Sequence, residues 1–477
     1  MQTDVKRKCC NMRDCKSEVG LIGLGVMGQG VALNIAGHGY SLSVFNRSSE
    51  KTEFLISKAD KKNILPCYSL EEFVDSLEKP RKIMMLVKAG DVTDSMIKSL
   101  VPLLDKDDII IDLGNSYYED TERREKELKT SGIRFLGTGI SGGEQGALNG
   151  PAIMAGGSES AWDEVKHILN DIAADNPDSG SCCSYFGEGG AGHFIKMVHN
   201  GIEYGYMEII SELYSIIRSH YGLTPDEIAD IFDMLSADEN VSSYLVNITA
   251  KILRKKDEET GKNMLDVISD EAGNKGTGKW TSQCALEMGV SIPVLTEALY
   301  ARYTSAEYRA KGLERVESKR CFDRRALEEV KSALEFGQYL CFENGLRLIK
   351  RASDIKGWDV DFFEVLKTWE NGCIIRTSFS GNMKFAYSKD NNIKSLIDDE
   401  QISHILRFNL ASAKSIINKA MQCNIPSFSL SAAVNYYIAY VCEEMPTVMI
   451  QAQRDFFGAH TYRRVDKEGM FHTKWEE

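Results

Sequence analysis

Residues 18–28 read EVGLIGLGVMG and join a short apolar run to a glycine-rich segment. The apolar run predicts a buried strand, and the spacing of the following residues, to about Ala36, predicts a helix. Between them Gly23, Gly25 and Gly28 form a G-x-G-x-x-G pattern, which allows a tight turn and a close approach of the backbone to a pyrophosphate. The start of the helix then faces the phosphates. This stretch predicts a dinucleotide-binding, Rossmann-like domain.

The next predicted strand, residues 41–45, ends at Asn46, Arg47 and Ser48. Enzymes that use NAD usually place an acidic residue here to bind the ribose 2′-hydroxyl group. This chain has no acid at that point and offers an arginine where a 2′-phosphate would lie, which favours NADP over NAD. The alternative is that Asn46 or Ser48 caps the next helix and that Arg47 is an ordinary surface charge.

Further predicted strands at residues 82–87, 108–113 and 134–136 each stop at a cluster of small or polar residues. Because the carboxyl ends of parallel strands line the ligand crevice of an open sheet, these clusters are candidate binding sites. They contain Lys88, Asn115, Ser141, Gly142 and Gly143. Backbone N–H groups of the last three residues could hold a carboxylate. Taken one at a time, each cluster is also compatible with a simple turn.

Residues 187–207, GEGGAGHFIKMVHNGIEYGYM, pass from a glycine-rich segment into a helical pattern. Within it Lys196, His199, Asn200 and Glu203 lie at i, i+3, i+4 and i+7, so they share one helix face over roughly 10 Å. An amine, an imidazole, an amide and a carboxylate in a row suit a small polar ligand. Spacing alone favours the alternative, a solvated helix face with a chance i, i+7 pair. The position at a domain junction, where ligand sites concentrate, favours a functional site.

The composition is that of a globular chain with two or three domains. It has 477 residues, 43% hydrophobic and 27% charged content, and a net charge of −13. This charge argues against nucleic-acid binding, no apolar run is long enough for a membrane span, and no signal peptide is recognisable. The 12 cysteines are scattered and show no metal-ligand spacing, which indicates reduced thiols in a cytoplasmic protein without a metal site.

The rest of the chain is predicted to be helical, at residues 194–220, 225–235, 242–255, 282–288, 293–311, 323–350 and 359–371. A glycine-rich interruption, AGNKGTGKW at residues 272–280, places Lys275 and Thr277 on a turn suited to a phosphate. The alternative is a surface loop between two helices. The aromatic and basic residues after 450 are too few to fold alone, so they are expected to dock on this subunit or on a neighbouring one.

The predicted architecture is an α/β Rossmann-like N-terminal domain, a large all-α domain and an extended C-terminal tail. The boundaries are a disordered extension at 1–17, the coenzyme domain at 18–190, the helical domain at 191–445 and the tail at 446–477.

From about Glu18 to Trp475 the chain resembles the 6-phosphogluconate dehydrogenase family, whose members use NADP to oxidise and decarboxylate 6-phosphogluconate in the pentose phosphate pathway. The matching stretches occur in the family's order and are GLGVMG, FNRS, LVKAG, GNS, GISGGEQGA, GAGHFIKMVHNGIEYG, GNKGTGKWT and IQAQRDFFGAHTY. The resemblance implies ribulose 5-phosphate and CO2 as products. It also implies a homodimer in which each tail threads through the partner subunit.

The resemblance implies a role for each matching position, with Lys196 as general base and Glu203 as general acid. NADP would be held by Gly23, Leu24, Gly25, Val26, Met27, Gly28, Asn46, Arg47, Ser48, Val87, Lys88, Ala89 and Asn115. The sugar-acid end of the substrate would contact Asn115, Ser141, Gly142, Gly143, His199 and Asn200. Its phosphate end would contact Tyr204, Lys275, Thr277 and Arg302, together with Arg454 and His460 of the partner subunit.

To act as a base, Lys196 needs a pKa below its ordinary value near 10.4, which burial and cationic neighbours would provide. The chain departs from the family at Gly25, which is mostly alanine there, at Tyr206, which is usually aspartate, and at three further positions. These are Gln145, Leu148 and Asn149. None of the departures removes a catalytic group.

Two other functions remain open from the residues. A dehydrogenase of a smaller β-hydroxy acid would share the glycine loop, the Ser-Gly-Gly run and the lysine helix. The basic groups Lys275, Arg302 and Arg454 argue against it, since a smaller acid carries no phosphate. An inactive NADPH-binding sensor is disfavoured by the presence of both Lys196 and Glu203.

Overall fold

The computed structural model describes residues 16–59, 63–273, 276–307, 312–318 and 320–476. Strands and helices alternate in the first part of the chain, and the remainder is almost entirely helical. The strands are β1 (Val19–Ile22), β2 (Leu42–Phe45), β3 (Ile64–Cys67), β4 (Lys82–Met85), β5 (Ile109–Asp112), β6 (Arg134–Ser141), β7 (Ala152–Gly157), β8 (Asp175–Asn176), β9 (Gly180–Ser181) and β10 (Cys183–Tyr185).

The helices of the first part are α1 (Val26–Gly37), α2 (Ser49–Lys58), α3 (Leu70–Asp75), α4 (Asp91–Leu100), α5 (Tyr118–Thr130), α6 (Gly143–Asn149) and α7 (Glu159–Ile172). Those of the second part are α8 (Ala191–Tyr221), α9 (Pro225–Ala237), α10 (Tyr244–Arg254), α11 (Thr277–Met288), α12 (Pro293–Ala306), α13 (Arg324–Lys356), α14 (Phe362–Thr368), α15 (Ser380–Lys389), α16 (Glu400–Gln422), α17 (Phe428–Val441) and α18 (Thr447–Gly458). The predicted fold class, a Rossmann-like part followed by a large helical part, is confirmed.

Eight strands form one sheet in the order β10-β7-β6-β5-β4-β1-β2-β3. All neighbouring strands are parallel except β6 and β7, which are antiparallel. The reason is the short connection. Only α6 and its flanking residues separate β6 from β7, whereas a parallel crossover needs about a dozen residues or more. Strand β3 was not predicted.

The order of the strands reverses between β1 and β4, and this is where the coenzyme crevice of a doubly wound sheet lies. The two strand ends are held together by a hydrogen bond from Leu86 N to Ile22 O of 2.8 Å. At the end of β1, Gly23 has a φ of +99°, and a Cβ there would lie 2.4 Å from Leu86 O. The turn therefore requires glycine, for its conformation and for space.

The two longest helices, α8 and α13, form the centre of the helical part, where their apolar faces pack against each other and against α12, α16 and α17. Helix α8 also packs against β6 and β7 of the sheet. The residues of α8 are therefore buried by contacts with both the sheet and the helical part. Helices α15 to α17 lie within the predicted all-helical domain but were not placed individually, and α18 lies in the segment predicted as an extended tail.

Helix α11 starts at Thr277, five residues before its predicted start. The interpretation of residues 272–280 as one exposed turn is therefore wrong for residues 277–280, because Gly276, with a φ of +94°, is the N-cap of the helix. Thr277 lies in the first helical turn, where backbone N–H groups lack intrahelical partners. Lys275, predicted on the same turn, lies outside the described residues.

Both ends of the chain contain more regular structure than the predicted disordered extension and extended tail. Of the predicted disordered extension, residues 1–15 lie outside the described residues, but Ser17 is buried and pairs through its backbone with Ser76 and Glu78. The prediction is wrong for this residue. At the other end, α18 is followed by a bridge between Tyr462 and Phe471. None of the helices in the described part combines the length and apolar character that a membrane span requires.

Candidate active site

Lys196 lies where α8 crosses β6, with 6% of its surface exposed. This close crossing is possible because the facing strand residue is Gly139, since a Cβ at that position would lie 2.3 Å from Cβ of Lys196. Ser141, at the end of β6, is brought to the same place by the strand. Its Oγ lies 3.1 Å from Nε2 of His199 on α8.

Three neighbouring side chains of α8 are joined by hydrogen bonds. Nζ of Lys196 donates to Oδ1 of Asn200, and Nδ1 of His199 lies 3.3 Å from the same oxygen. Because an amide oxygen only accepts, His199 must carry its proton on Nδ1, which leaves Nε2 to accept the hydroxyl of Ser141. Asn200 thus holds the amine and the imidazole in fixed positions.

Burial lowers the pKa of Lys196 from 10.5 to about 8, while the carboxylate of Glu203 acts in the opposite direction. Burial also lowers the pKa of His199 well below its ordinary value, and the neighbouring Lys196 adds to this. The site therefore contains a neutral imidazole and an amine that loses its proton near physiological pH. These are the properties of an orienting group and a general base.

The other end of this face leads to a second cluster, formed by α8, α11 and α12. The guanidinium carbon of Arg302 lies 3.5 Å from the centre of the Tyr204 ring, and Nη1 of Arg302 donates to Gly273 O at 3.0 Å. The N-terminal part of α11 is tied to α8 by a 2.9 Å hydrogen bond from Thr281 Oγ1 to Met197 O. Tyr204, Thr277 and Arg302 therefore surround one region, which contains a fixed cation and a free helix N-terminus and can bind an anion.

The predicted coenzyme loop has the features that a pyrophosphate needs. Gly25 is the N-cap of α1 without a side-chain hydrogen bond, and the first turn of this helix contains no acidic residue. A Cβ on Gly25 would meet open space, whereas one on Gly28 would lie 1.9 Å from Gly23 O. Leu24 is buried, Met27 is partly buried and Val26 is 62% exposed. The loop thus presents free N–H groups to an open space, so its residues fit a dinucleotide.

The three residues after β2 lie beside this loop. Asn46 accepts a hydrogen bond from Leu24 N at 3.0 Å and donates to Ser48 O at 3.0 Å, so its side chain fixes the turn. The hydroxyl of Ser48 donates to Glu50 at 2.9 Å. Arg47 is exposed and has no ion pair or side-chain hydrogen bond within the described part of the chain. Its guanidinium group is thus available to a phosphate.

The ends of β4 and β5 supply the remaining coenzyme candidates. Val87 and Ala89 are partly buried, whereas Lys88 and Asn115 are exposed. The carbonyl oxygen of Lys88 accepts from Thr93 Oγ1 at 3.1 Å. This bond holds the backbone after β4, and both polar side chains are free to meet a ligand.

Gly142 and Gly143 begin α6 next to Ser141 and have φ values of +136° and +62°. A Cβ at Gly142 would lie 2.3 Å from Gly372 O. The segment around residue 372, which was not predicted as part of the site, therefore forms one of its walls. It also contributes Cys373, a buried thiol whose pKa is raised to about 12 by burial, so that it is uncharged near neutral pH. No sequence pattern marked this segment.

Two further residues near the coenzyme loops were also missed. Arg124 is only 1% exposed and Asp112 is fully buried. Asp112 is the last residue of β5 and lies one residue before the end of the predicted strand, a position that could have drawn attention to it. Arg124 belongs to a strongly charged helix and had no recognisable signal.

Arg454 and His460 lie on the tail and are exposed. Arg454 donates to Gln451 at 3.1 Å, and the His460 ring packs against Phe457. These contacts are within the tail. A single copy of the chain therefore does not bring the two residues to Lys196.

Four of the departures from the family pattern take no part in the hydrogen bonds that join Ser141, Lys196, His199 and Asn200. Tyr206 is fully buried and its hydroxyl accepts a hydrogen bond from Gln338 in the helical core. Gln145, Leu148 and Asn149 are exposed on α6, where Asn149 donates to Gln145 at 3.3 Å.

Two family models together match almost the whole described chain. The NAD binding domain of 6-phosphogluconate dehydrogenase matches residues 18–187, and the 6-phosphogluconate dehydrogenase C-terminal domain matches residues 192–475.

Individual proteins agree with these matches. A 6-phosphogluconate dehydrogenase from Bacillus subtilis (strain 168), named as NADP(+)-dependent and decarboxylating, is 48% identical over 467 residues, which cover 96% of this chain and 99% of the relative. The decarboxylating enzyme of Escherichia coli (strain K12) is 45% identical over 466 residues, with the same coverage.

Among solved structures, 6-phosphogluconate dehydrogenase from Plasmodium falciparum, described in its apo form and with its cofactor NADP+ or its substrate 6-phosphogluconate, superposes with a TM-score of 0.89. It is 37% identical, and the match covers 96% of this chain and all of that one. The chain therefore belongs to the 6-phosphogluconate dehydrogenase family.

Proposed function

We propose that the chain oxidises 6-phospho-D-gluconate with NADP+ and releases CO2, giving D-ribulose 5-phosphate and NADPH. The membership of the family supports this reaction. The structural observation that supports it most directly is the buried amine of Lys196, whose pKa is about 8 and which donates a hydrogen bond to Asn200. Lys196 shares a helix face with Glu203. NADP+, when bound, supplies the two-electron oxidant.

In the first step Lys196, as a neutral amine, takes the proton of the C3 hydroxyl group. The C3 hydroxyl lies β to the carboxylate, so oxidation gives a β-keto acid, which loses CO2 readily. Protonated Lys196 then donates a hydrogen bond to the C3 oxygen and stabilises the enediol that forms. Ser141, whose hydroxyl is fixed by His199, and the N–H groups that follow it orient the carboxylate.

In the last step Glu203 protonates C1 of the enediol. It lies two helical turns from Lys196, so the two groups address different carbons of one extended substrate. The pKa of Lys196 responds to Glu203, which supports their proximity. His199 remains neutral throughout and acts as an orienting group.

The phosphate end of the substrate is assigned to Tyr204, Thr277 and Arg302, with Lys275 added from the sequence. The free N-terminus of α11 and the stacked guanidinium support this assignment. Arg454 and His460 complete it from a second copy of the chain. Support for this homodimer comes from α18, whose apolar residues are exposed in a single copy. These are Val448, Met449, Ile450, Phe456 and Phe457.

We place the enzyme in the cytoplasm. All nine cysteines in the described part of the chain are free thiols, which suits a reducing compartment.

The test is the initial rate of NADPH formation, followed by absorbance, together with CO2 release. We expect turnover with 6-phosphogluconate and NADP+, a lower kcat/KM with NAD+, and little turnover with gluconate, which lacks the phosphate. A comparable rate with gluconate would favour the dehydrogenase of a smaller acid. NADPH binding without turnover would favour the sensor.

Lys196→Ala provides the matched variant. We expect it to reduce kcat by several orders of magnitude, because general acid–base groups contribute about 100-fold to 10,000-fold and this lysine acts in two steps. NADPH binding should be retained. A near-normal kcat would remove Lys196 from the role of base.

A further inference from the structure

Helix α5 carries two adjacent arginines in different environments. The helix reads YEDTERREKELKT, and its charged composition suggests a surface helix. The side chain of Arg123 is 42% exposed and forms ion pairs on the surface. The side chain of Arg124 is 1% exposed. A guanidinium group is rarely buried without several partners, since removing it from water is costly.

The partners of Arg124 lie in two segments, one formed by the loop after β4 with the first turn of α4, the other by the end of β5 with the loop that follows it. On the side of β4, its Nε donates to Oδ1 of Asp94 at 2.7 Å and its Nη2 to Gly90 O at 3.3 Å. On the side of β5, its Nη1 donates to Oγ of Ser116 at 3.1 Å and lies 3.7 Å from Oδ2 of Asp112. One planar group thus bridges both loops.

The bridged residues are adjacent to the proposed coenzyme contacts. Gly90 directly follows the run from Val87 to Ala89. Ser116 directly follows Asn115, and this second loop is fixed to its strand by Asp112, which accepts from Ser116 Oγ at 2.6 Å and from Gly114 N at 2.9 Å.

We propose that Arg124 is a positioning residue that holds the two coenzyme loops at a fixed separation. The proposal rests on the proposed function only in taking these loops as contacts of NADP. A guanidinium group can do this because its donors point in several fixed directions, whereas an ammonium group cannot span Asp94, Gly90 and Ser116 together. With its side chain 1% exposed, Arg124 offers no free surface to a coenzyme or a substrate.

Helix α5 is itself held in place by a contact one turn away from Arg124. Thr121, one turn before Arg124, has its Oγ1 2.7 Å from Nδ1 of His193, at the start of α8. The anchor of the loops is therefore connected to the helix that carries Lys196, and the loops are positioned relative to that helix.

The experiment measures the dissociation constant of NADPH by coenzyme fluorescence in the wild type, Arg124→Lys and Arg123→Lys. Arg123→Lys is the matched control, because Arg123 is the adjacent residue and also pairs with Asp94. We expect Arg124→Lys to raise the constant on the order of tenfold, since buried charge-assisted hydrogen bonds to Asp94, Gly90 and Ser116 are lost. We expect Arg123→Lys to change it less than about twofold, since the ion pairs of Arg123 lie on the exposed surface and contribute little. Equal constants in the two variants would overturn the proposal.

Ser116→Ala keeps the proposal testable if Arg124→Lys does not fold. It removes the hydroxyl between Asp112 and Arg124 and leaves both charges. We expect a rise of roughly threefold in the NADPH constant with an unchanged constant for 6-phosphogluconate measured without coenzyme. An unchanged NADPH constant would overturn the proposal, as would a parallel loss of both ligands with a lower melting temperature. Wild-type protein that binds no NADPH would instead refute the proposed function.

Discussion

The substitution Lys196→Met is expected to abolish turnover and to stabilise the folded chain at the same time. The wild type must bury the amine of Lys196, whose pKa falls from 10.5 to about 8. A difference of one pKa unit corresponds to about 1.4 kcal/mol, so the difference of roughly 2.5 units costs about 3 kcal/mol wherever the group is protonated. Methionine retains a long unbranched side chain and has no charge to bury.

The net gain is smaller, because the hydrogen bond from Lys196 to Asn200 is lost with the amine. Such a bond contributes about 1 kcal/mol, so the variant should be more stable by about 2 kcal/mol at neutral pH. With an unfolding entropy of about 2 cal/mol/K per residue, a chain of 477 residues gains about 1 °C per kcal/mol. The expected increase in melting temperature is therefore about 2 °C.

The pH dependence of this gain has a definite sign. Between pH 8 and 10.5 the unfolded chain holds the lysine proton more tightly than the folded chain, whose pKa is lowered. The free energy of unfolding of the wild type therefore rises with pH across this interval. The variant has no such group. Its advantage is largest below pH 8 and shrinks as the pH approaches 10.

The assay is thermal unfolding of wild type and variant at equal protein concentrations, at pH 7 and at pH 9.5. Lys414→Met is the control, because Lys414 is an exposed residue of α16 and its replacement should shift the melting temperature equally at both pH values. If Lys196→Met is no more stable at pH 7, or if its advantage does not shrink at pH 9.5, Lys196 is not a buried amine with a lowered pKa, and the reasoning about the base is refuted.

Four further outcomes are expected. The kcat/KM for 6-phosphogluconate should fall about tenfold per pH unit below 8, because only neutral Lys196 accepts the proton; an initial-rate profile that is flat from pH 6 to 8 would contradict this. Arg47→Glu should shift the ratio of kcat/KM from NADP+ toward NAD+, since a carboxylate repels the 2′-phosphate; an unchanged ratio would exclude Arg47 as the discriminator. Deleting the chain after Met449 should abolish activity by removing two phosphate contacts, and an active truncated dimer would disprove the shared site. Asp455 accepts hydrogen bonds from Thr461 N, Thr473 N and the Trp475 indole and so holds the tail in shape. Asp455→Asn should therefore raise the KM for 6-phosphogluconate and leave the KM for NADP+ unchanged. Equal effects on both KM values would argue against a tail that acts only at the phosphate end.

The parts of the fold that were predictable are those in which neighbouring residues determine the structure. The turn at Gly23 follows from a local pattern, and so does the polar face from Lys196 to Glu203. The antiparallel strand β7 was not predictable in this way. Its direction depends on how far β6 extends, and the predicted strand at residues 134–136 stopped five residues before its real end at Ser141.

The supports of the site were harder to predict, because their partners are distant in the chain. Arg124 pairs with Asp94, which lies 30 residues away, and its own helix looks like a solvated one. Gly372, which forms a wall of the site against Gly142, lies more than 200 residues after it in the chain. Spacing within one segment contains no information about such contacts.

The same packing lowers the pKa of Lys196 and reduces the free energy of unfolding. Gly139 lets α8 lie so close to β6 that the amine is shielded from water, and this shielding lowers its pKa. A strand residue with a side chain would keep the helix away, and the lysine would remain protonated in water. The sheet also presents the loops proposed to bind the coenzyme, and α8 presents the proposed acid and orienting groups. The contact between the two parts therefore does more than join domains. It lowers the pKa of the proposed base, and the stability lost there is recovered in the apolar faces of α8 and α13.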